Sequence, residues 1–328
     1  MYQMMSLPLY SGTLGEYNRW RYLGQALERL GCDGIEGVWG GEDLPKDLPA
    51  ELILGYHLIF YPDWLDFYRD DRAALKQKFG SLEAVASFYG GLGPDTLLEQ
   101  YRADLRRAVN LGARYVVFHV SDVSLEEGYT YRWLHTNQEV IDAAVEVVNL
   151  ILGEERWPFE FLVENQWWPG FTFTEPEETA RLLEGIRFAG KGILLDTGHL
   201  MNACTELKTE AEGADYIRRM LNRHGSLAKW VRGVHLHQSL SEAYVKAHTG
   251  SLPAGLPEDY MERFGVSYQH ILQIDQHRPW TDPAILPVLE QIEPRYLTHE
   301  LSSRGRMARA EAVSIQTRLL RPGGRMRV

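Results

Sequence analysis

Six apolar, strand-like runs in this chain each reach a side chain that can bind metal. The run 52–60 carries His57, and 114–120 carries His119. Residues 159–165 reach Glu164, and 192–196 lead into the turn Asp196-Thr-Gly-His199. The run 230–237 holds His235 and His237, and 295–300 stops at Glu300. Side chains so far apart in sequence converge only when their strands lie parallel and close into a ring, because such a ring gathers every C-terminal strand end at one mouth. The chain is therefore expected to be an α/β protein, a (β/α)8 barrel with a metal site at its mouth.

The spacing of the remaining sequence agrees. A first strand is expected over 6–10, a helix over 16–30 and a second strand over 33–39. The connection 40–50 is short and carries prolines, so its helix is expected to be reduced or lost. A long helical pattern over 64–111 breaks at Gly90-Gly-Leu-Gly-Pro94, with Asp95 as the expected N-cap of its second part. Asn137 opens another helix, and Thr174-Glu-Pro-Glu177 has the form of a capping box with proline in the first turn. A helix over 210–223 precedes the seventh strand, and an insertion over 238–273 follows it. With no internal repeat, the expectation is one domain over 1–328, with insertions at about 61–94 and 238–273. A doubly wound open sheet fits less well, since its site lies at one switch point rather than around a ring.

Composition narrows the class. A length of 328 residues suits one barrel with long mouth loops. No apolar run reaches the roughly 18 residues that span a bilayer. The first 15 residues lack the basic start of a secretory signal. Cys32 and Cys204 are the only cysteines, too few for a disulfide framework and in keeping with a cytoplasmic location. The net charge is −11, yet residues 303–328 hold seven arginines against Glu311 alone, so that end is near +6 and the rest near −17. A basic last helix paired with acidic neighbours, or with a second subunit in a homo-oligomer, is preferred over a nucleic-acid contact.

Glu164, Asp196, His235 and Glu300 form the core of the expected site. Two glutamates, an aspartate and a histidine make an oxygen-rich set suited to Zn²⁺, Mn²⁺ or Mg²⁺. His199 follows Asp196 by three residues, and Asp275-Gln-His277 lies where a loop could fold back over the metal. His57, His119 and His237 are assigned to substrate, together with Trp167 and Trp168. The insertion 238–273 and the aromatic segment 61–68 are expected to cover the mouth. Phe171, Phe173 and Trp280 are further aromatics of the expected mouth loops.

These motifs resemble the xylose isomerase-like barrel superfamily, which includes sugar isomerases and epimerases and the endonuclease IV family. The resemblance is strongest at Val163-Glu-Asn165, Asp196-Thr-Gly-His199, Gly233-Val-His-Leu236, Asp275-Gln-His277 and His299-Glu300. In the epimerase branch it implies one metal on Glu164, Asp196, His235 and Glu300. In the endonuclease branch nine ligands hold three zinc ions, and His57, His119, Glu164, Asp196, His199, His235, Asp275, His277 and Glu300 match that set in order. The chain departs from that branch at His235-Leu-His-Gln238, where the endonucleases resemble His-Leu-Asn-Asp, and it lacks their DNA-intercalating loops. Two chemistries follow. As a sugar or sugar-phosphate isomerase or epimerase acting on a small carbohydrate, Glu164 and Glu300 would move a proton through a metal-stabilised enediolate. As a multinuclear zinc phosphodiesterase, the alternative, both glutamates would bridge metals.

Overall fold

Apolar residues alternate along eight runs so that one set faces inward and the other meets the surrounding helices. The computed structural model describes residues 1–18, 20–44 and 48–321. Its strands are β1 (Tyr2–Leu9), β2 (Gly34–Trp39), β3 (Ile53–His57), β4 (Tyr115–His119), β5 (Glu160–Glu164), β6 (Lys191–Asp196), β7 (Val231–His235) and β8 (Tyr296–His299). All pair in parallel and in sequence order, and β8 closes on β1. Outward residues such as Leu7, Ile35, Val116, Phe161, Ile193 and Leu297 join the large apolar core beneath the helices. Inward residues Met4, Tyr115, Val117, Leu162, Leu194 and Tyr296 form a separate plug inside the ring.

Register sets the height of each site residue. His119 pairs with Glu164, and Asp196 with His235, so those neighbours lie side by side. His57 pairs with Val117, Glu164 with Leu194, and His235 with Thr298, each two residues before the next site residue. A two-residue stagger keeps the inward face inward, because side chains alternate with period two. The barrel's tilt therefore brings all these side chains to one rim.

Several local expectations are corrected. The helix expected over 16–30 is split into Ser11–Glu16 and Leu23–Leu30, because Asn18 and Trp20 take positive φ of 49° and 68°. The helix expected to start at Asp95 starts at Pro94 with Gly93 as its N-cap. Thr174 does not cap the helix Pro176–Gly185; its hydroxyl bonds Thr172 at 2.7 Å, and Glu175 stands at the N-cap. In the connection 40–50, residues 45–47 lie outside the described residues, and the rest holds only the start of the 3-10 turn Ala50–Leu52.

The segment 61–94 carries helices Leu65–Tyr68, Arg72–Phe79 and Leu82–Tyr89, and 238–273 carries Glu242–His248 and most of Tyr260–Ile274. In the first, the Lys78 ammonium lies 2.7 Å from both Asp63 and Asp66, with buried Asp122 close by. The last helix, Gly305–Leu320, ties Arg309 to Glu16 at 2.7 Å, an acidic neighbour for one arginine of the basic end. Arg325 and Arg327 of that end lie outside the described residues. Among the described residues no helix is long and apolar enough to cross a membrane.

Gly55 faces inward where the Tyr115 ring crosses the barrel, and a Cβ there would collide with that ring. Gly55→Ala is expected to cost about 1–3 kcal/mol by overpacking. Urea unfolding of the two proteins checks it, and an unshifted midpoint would mean the ring yields freely.

Candidate metal centre

Glu164, at the end of β5, is fully buried and surrounded by imidazoles. Its Oε2 lies 3.1 Å from His119 Nε2 and 3.3 Å from His57 Nε2, which are 3.0 Å from each other. Its Oε1 lies 3.2 Å from His235 Nδ1 and 3.3 Å from His199 Nδ1. His235 Nδ1 also lies 2.8 Å from Glu300 and 3.7 Å from Asp196. On the far side, Asp275 Oδ2 is 3.2 Å from His199 Nε2 and 2.5 Å from His277 Nε2.

These contacts define three groups whose donor atoms converge: His57, His119 and Glu164; Glu164, Asp196, His235 and Glu300; and His199, His237, Asp275 and His277. Glu164 belongs to two of them. Four ligands about 2.0–2.1 Å from a tetrahedral zinc ion stand roughly 3.3 Å apart, the range found around Glu164. Glu164 Oε2 is buried without a hydrogen bond although two ring nitrogens are near. Glu300 Oε2 is in the same position beside His235. Carboxylate oxygens buried beside ring nitrogens without a hydrogen bond are suited to a shared cation, so the residues fit divalent metal.

Outer contacts fix which nitrogen each ring presents. His57 Nδ1 bonds the Leu58 carbonyl at 2.8 Å, turning Nε2 to Glu164. His199 Nδ1 bonds the Asn165 carbonyl at 3.0 Å, leaving Nε2 toward Asp275. His277 Nδ1 bonds the Glu300 carbonyl at 3.1 Å. His277 has φ of 46°, a left-handed conformation that persists for a non-glycine residue only when its surroundings hold it. The bond from Ser302 N–H to its carbonyl at 3.0 Å and the pairing of Arg278 with Gln238 do so. Such bonds set tautomer and ring orientation, as is usual for metal-binding histidines.

Sequence reasoning does not single out Glu36. It lies in β2, fully buried, with Oε1 2.9 Å from His235 Nε2 and Oε2 accepting from Tyr115 at 2.6 Å and Thr298 at 3.1 Å. It faces the back of the His235 ring. His237 sits with Nε2 2.8 Å from Asp196 Oδ2 and its ring stacked on His277 at 4.0 Å. Gly198 makes room for that ring, since a Cβ there would overlap it. The His235 and His237 carbonyls accept from Thr197 at 3.0 and 2.6 Å. Gln316 of the last helix bonds the Leu236 carbonyl, His299 and the Trp280 N–H at 2.7–2.9 Å, tying that helix to the end of β7.

The centre forms the floor of a cavity of about 750 Å³, lined among others by Phe60, Tyr61, Trp167, Trp168, Tyr268, His57, His119, His199, His277 and Glu300. Of the aromatics expected at the mouth, Trp64, Phe67, Tyr68, Phe171, Phe173 and Trp280 lie outside this lining. Trp64 donates to the Ser121 carbonyl, and Phe67 stacks on Tyr89 at 3.9 Å. Phe173 stacks on buried His224, and Trp280 donates to the His237 carbonyl at 2.8 Å.

Burial opposes charge on the rings of His57, His119, His199, His235 and His277, but the carboxylates outweigh it at all of these except His119. Asp196 and Asp275 hold His199 well above the ordinary histidine range, and Glu300, Glu36 and Glu164 do the same for His235. His277 is raised to about 9 by Asp275 against the effect of burial. Burial prevails at His119, whose pKa is lowered.

The family model for the xylose isomerase-like TIM barrel matches residues 25–292, and the chain belongs to that family. Among solved structures it is similar to endonuclease IV from Thermus thermophilus, with 16% identity over 98% of this chain and 100% of that one, at a TM-score of 0.50. It is also similar to mannonate dehydratase from Streptococcus suis serotype2, with 14% identity over 98% and 93%, at 0.51. A D-tagatose 3-epimerase-like protein matches with 15% identity over 96% and 87%, at 0.47. The first two likenesses show the fold. No curated protein sequence matches the chain significantly.

Two outcomes are expected. Glu36→Gln should weaken metal affinity about 10- to 100-fold, the usual effect of losing an outer partner of a metal-binding histidine. Chelator competition measures it, and unchanged affinity would remove Glu36 from the centre. Because neighbouring carboxylates raise His199 and His235 well above the ordinary histidine range, a metal would compete with protons for them. Affinity should therefore fall as pH is lowered, and calorimetry in buffers of different ionisation enthalpy should detect proton release.

Proposed function

We propose that the chain is a multinuclear metal-dependent hydrolase that cleaves a phosphoester bond. One observation supports this above the isomerase alternative: three ligand groups adjoin, and Glu164 belongs to two of them. Proton transfer by Glu164 would need a free carboxylate oxygen. Both of its oxygens face ring nitrogens at 3.1–3.3 Å, so it suits bridging rather than acting as a base.

His57, His119 and Glu164 would hold one ion, Glu164, Asp196, His235 and Glu300 a second, and His199, Asp275 and His277, with His237 adjoining, a third. When bound, divalent ions supply Lewis-acid stabilisation of the developing phosphoryl charge and an acidified water. The chain's own contribution is placement. His57 and His199 are held in one orientation by the carbonyls of Leu58 and Asn165, so the site is formed before substrate arrives. Trp167 and Trp168, tilted against each other with ring centres 4.1 Å apart, wall the cavity and limit water beside the floor.

The group Glu164, Asp196, His235 and Glu300 is by itself a complete one-metal set, and this keeps the sugar isomerase or epimerase as a second reading. Duplex DNA is disfavoured as substrate. The segments 61–94 and 238–273 carry nine acids against six Lys and Arg, and duplex binding depends on cationic contacts to phosphates.

Elemental analysis after purification without added metal separates the readings. The hydrolase predicts two or three divalent ions per chain and turnover of an activated phosphodiester such as bis(4-nitrophenyl) phosphate. Asp196→Asn should lose metal and at least about 10²-fold in rate together. One ion per chain, with turnover of ketoses and none of phosphodiesters, would overturn it in favour of the isomerase.

A further inference from the structure

The two mouth segments meet. Phe79 of the first stacks on Tyr260 of the second at 3.9 Å, and Phe88 packs against Phe264 at 5.5 Å. Arg263 donates to the Lys78 carbonyl at 2.9 Å. Beside this clasp, Tyr129 stacks on His270 at 4.2 Å, and Gly250 N–H bonds the Tyr129 carbonyl. The metal centre therefore opens into a walled chamber rather than an open groove.

The chamber's lining has an unusual balance for a site that handles phosphate. Arg309 is the only Lys or Arg among its described lining residues, and its guanidinium is already bonded to Glu16 at 2.7 Å and Tyr17 at 3.3 Å. Among the described residues no free side-chain cation lines the walls, so negative charge on a substrate is met at the floor. Apolar surface predominates on the walls, with serines interspersed. Phe60, Met261 and Tyr268 are 49%, 53% and 51% exposed although they line the cavity, which gives it an apolar rim. Phe60 lies 4.6 Å from the His119 ring, so that rim reaches down to the centre. Trp168 Nε1 and Ser267 Oγ are buried without partners in the same lining. Buried donors without acceptors are uncommon, and a polar edge of a ligand would satisfy them.

We propose that the substrate is a small ester with a single phosphoryl group and a flat apolar group, such as an aryl ring, that lies against Trp167 and Trp168. This rests on the hydrolase reading and adds the substrate class. In the reaction, water oxygen bonds to phosphorus and the phosphorus–oxygen bond to the organic group breaks with its electron pair. One water proton ends on the departing oxygen and the other on the phosphate. Polyanions find no counter-charge beyond the floor.

Phenylphosphonate and methylphosphonate share a headgroup and differ in the flat apolar part, so their binding to the metal-loaded protein isolates the subsite. Burying a phenyl ring, roughly 100 Å² of apolar surface, corresponds to about 10- to 100-fold in affinity. Phenylphosphonate should bind tighter by that factor, measured by quenching of tryptophan fluorescence and by inhibition of phosphodiester turnover. Trp168→Leu should reduce the factor to about threefold or less, with metal content and methylphosphonate affinity unchanged. Tyr268→Ser, at an exposed position, should reduce it in part without risk to folding. Equal affinity of the two phosphonates would overturn the inference, as would tighter binding of an abasic-site duplex than of phenylphosphonate. If metal analysis gives one ion while the phenyl preference stands, the hydrolase reading fails and the aromatic subsite remains. If two or three ions bind and the preference is absent, the subsite alone fails.

Discussion

One carboxylate holds the candidate centre together. Glu164 is buried inside the ring and meets imidazoles from β3, β4, β7 and the turn after β6. An ionised carboxylate at that depth is costly unless opposite charge or a metal accompanies it. The chain surrounds it with histidines, which pair with it when protonated and become ligands when they lose the proton. The same side chains that offset the buried charge when protonated are therefore suited to hold a cation once the protons are lost.

Beneath the centre, support passes through the barrel interior. Tyr115 spans the ring and, with Thr298, bonds Glu36, which faces the back of His235. Gly55 is small because the Tyr115 ring passes there. The apolar plug of Met4, Leu162, Leu194 and Tyr296 closes the interior below. Packing in the lower barrel and orientation at the upper rim are thus one problem, since displacing Tyr115 would also displace Glu36.

Much of this is legible in the sequence. His57, His119, Glu164, Asp196, His235 and Glu300 each end or follow an apolar run, and period-two alternation with closure of the ring suffices to bring them together. Glu36 is not legible, because an acid within Gly34-Ile-Glu-Gly-Val38 carries no local sign of a partner. Its partners lie 79 and 262 residues away. Capping signals mislead where tertiary contacts compete, as when the Thr174 hydroxyl turns to Thr172. The aromatics of 64–68 are candidates for the mouth by composition, yet Trp64 turns to the Ser121 carbonyl and Phe67 to Tyr89. Composition marks such residues as available, and only the packed structure decides which of them meet the cavity.

The order in which the ligands occur along the chain has a consequence for biosynthesis. His57, His119 and Glu164 leave the ribosome early, whereas Glu300 comes with β8 and Gln316 sixteen residues later. Until β8 pairs with β1, the ring is open and the apolar plug lacks Tyr296. A nascent chain thus presents several histidines and carboxylates to the cell's metal pool before the geometry that selects among ions exists. Discrimination between metals would then belong to the closed barrel, and the final segments to emerge would be the ones that confer it.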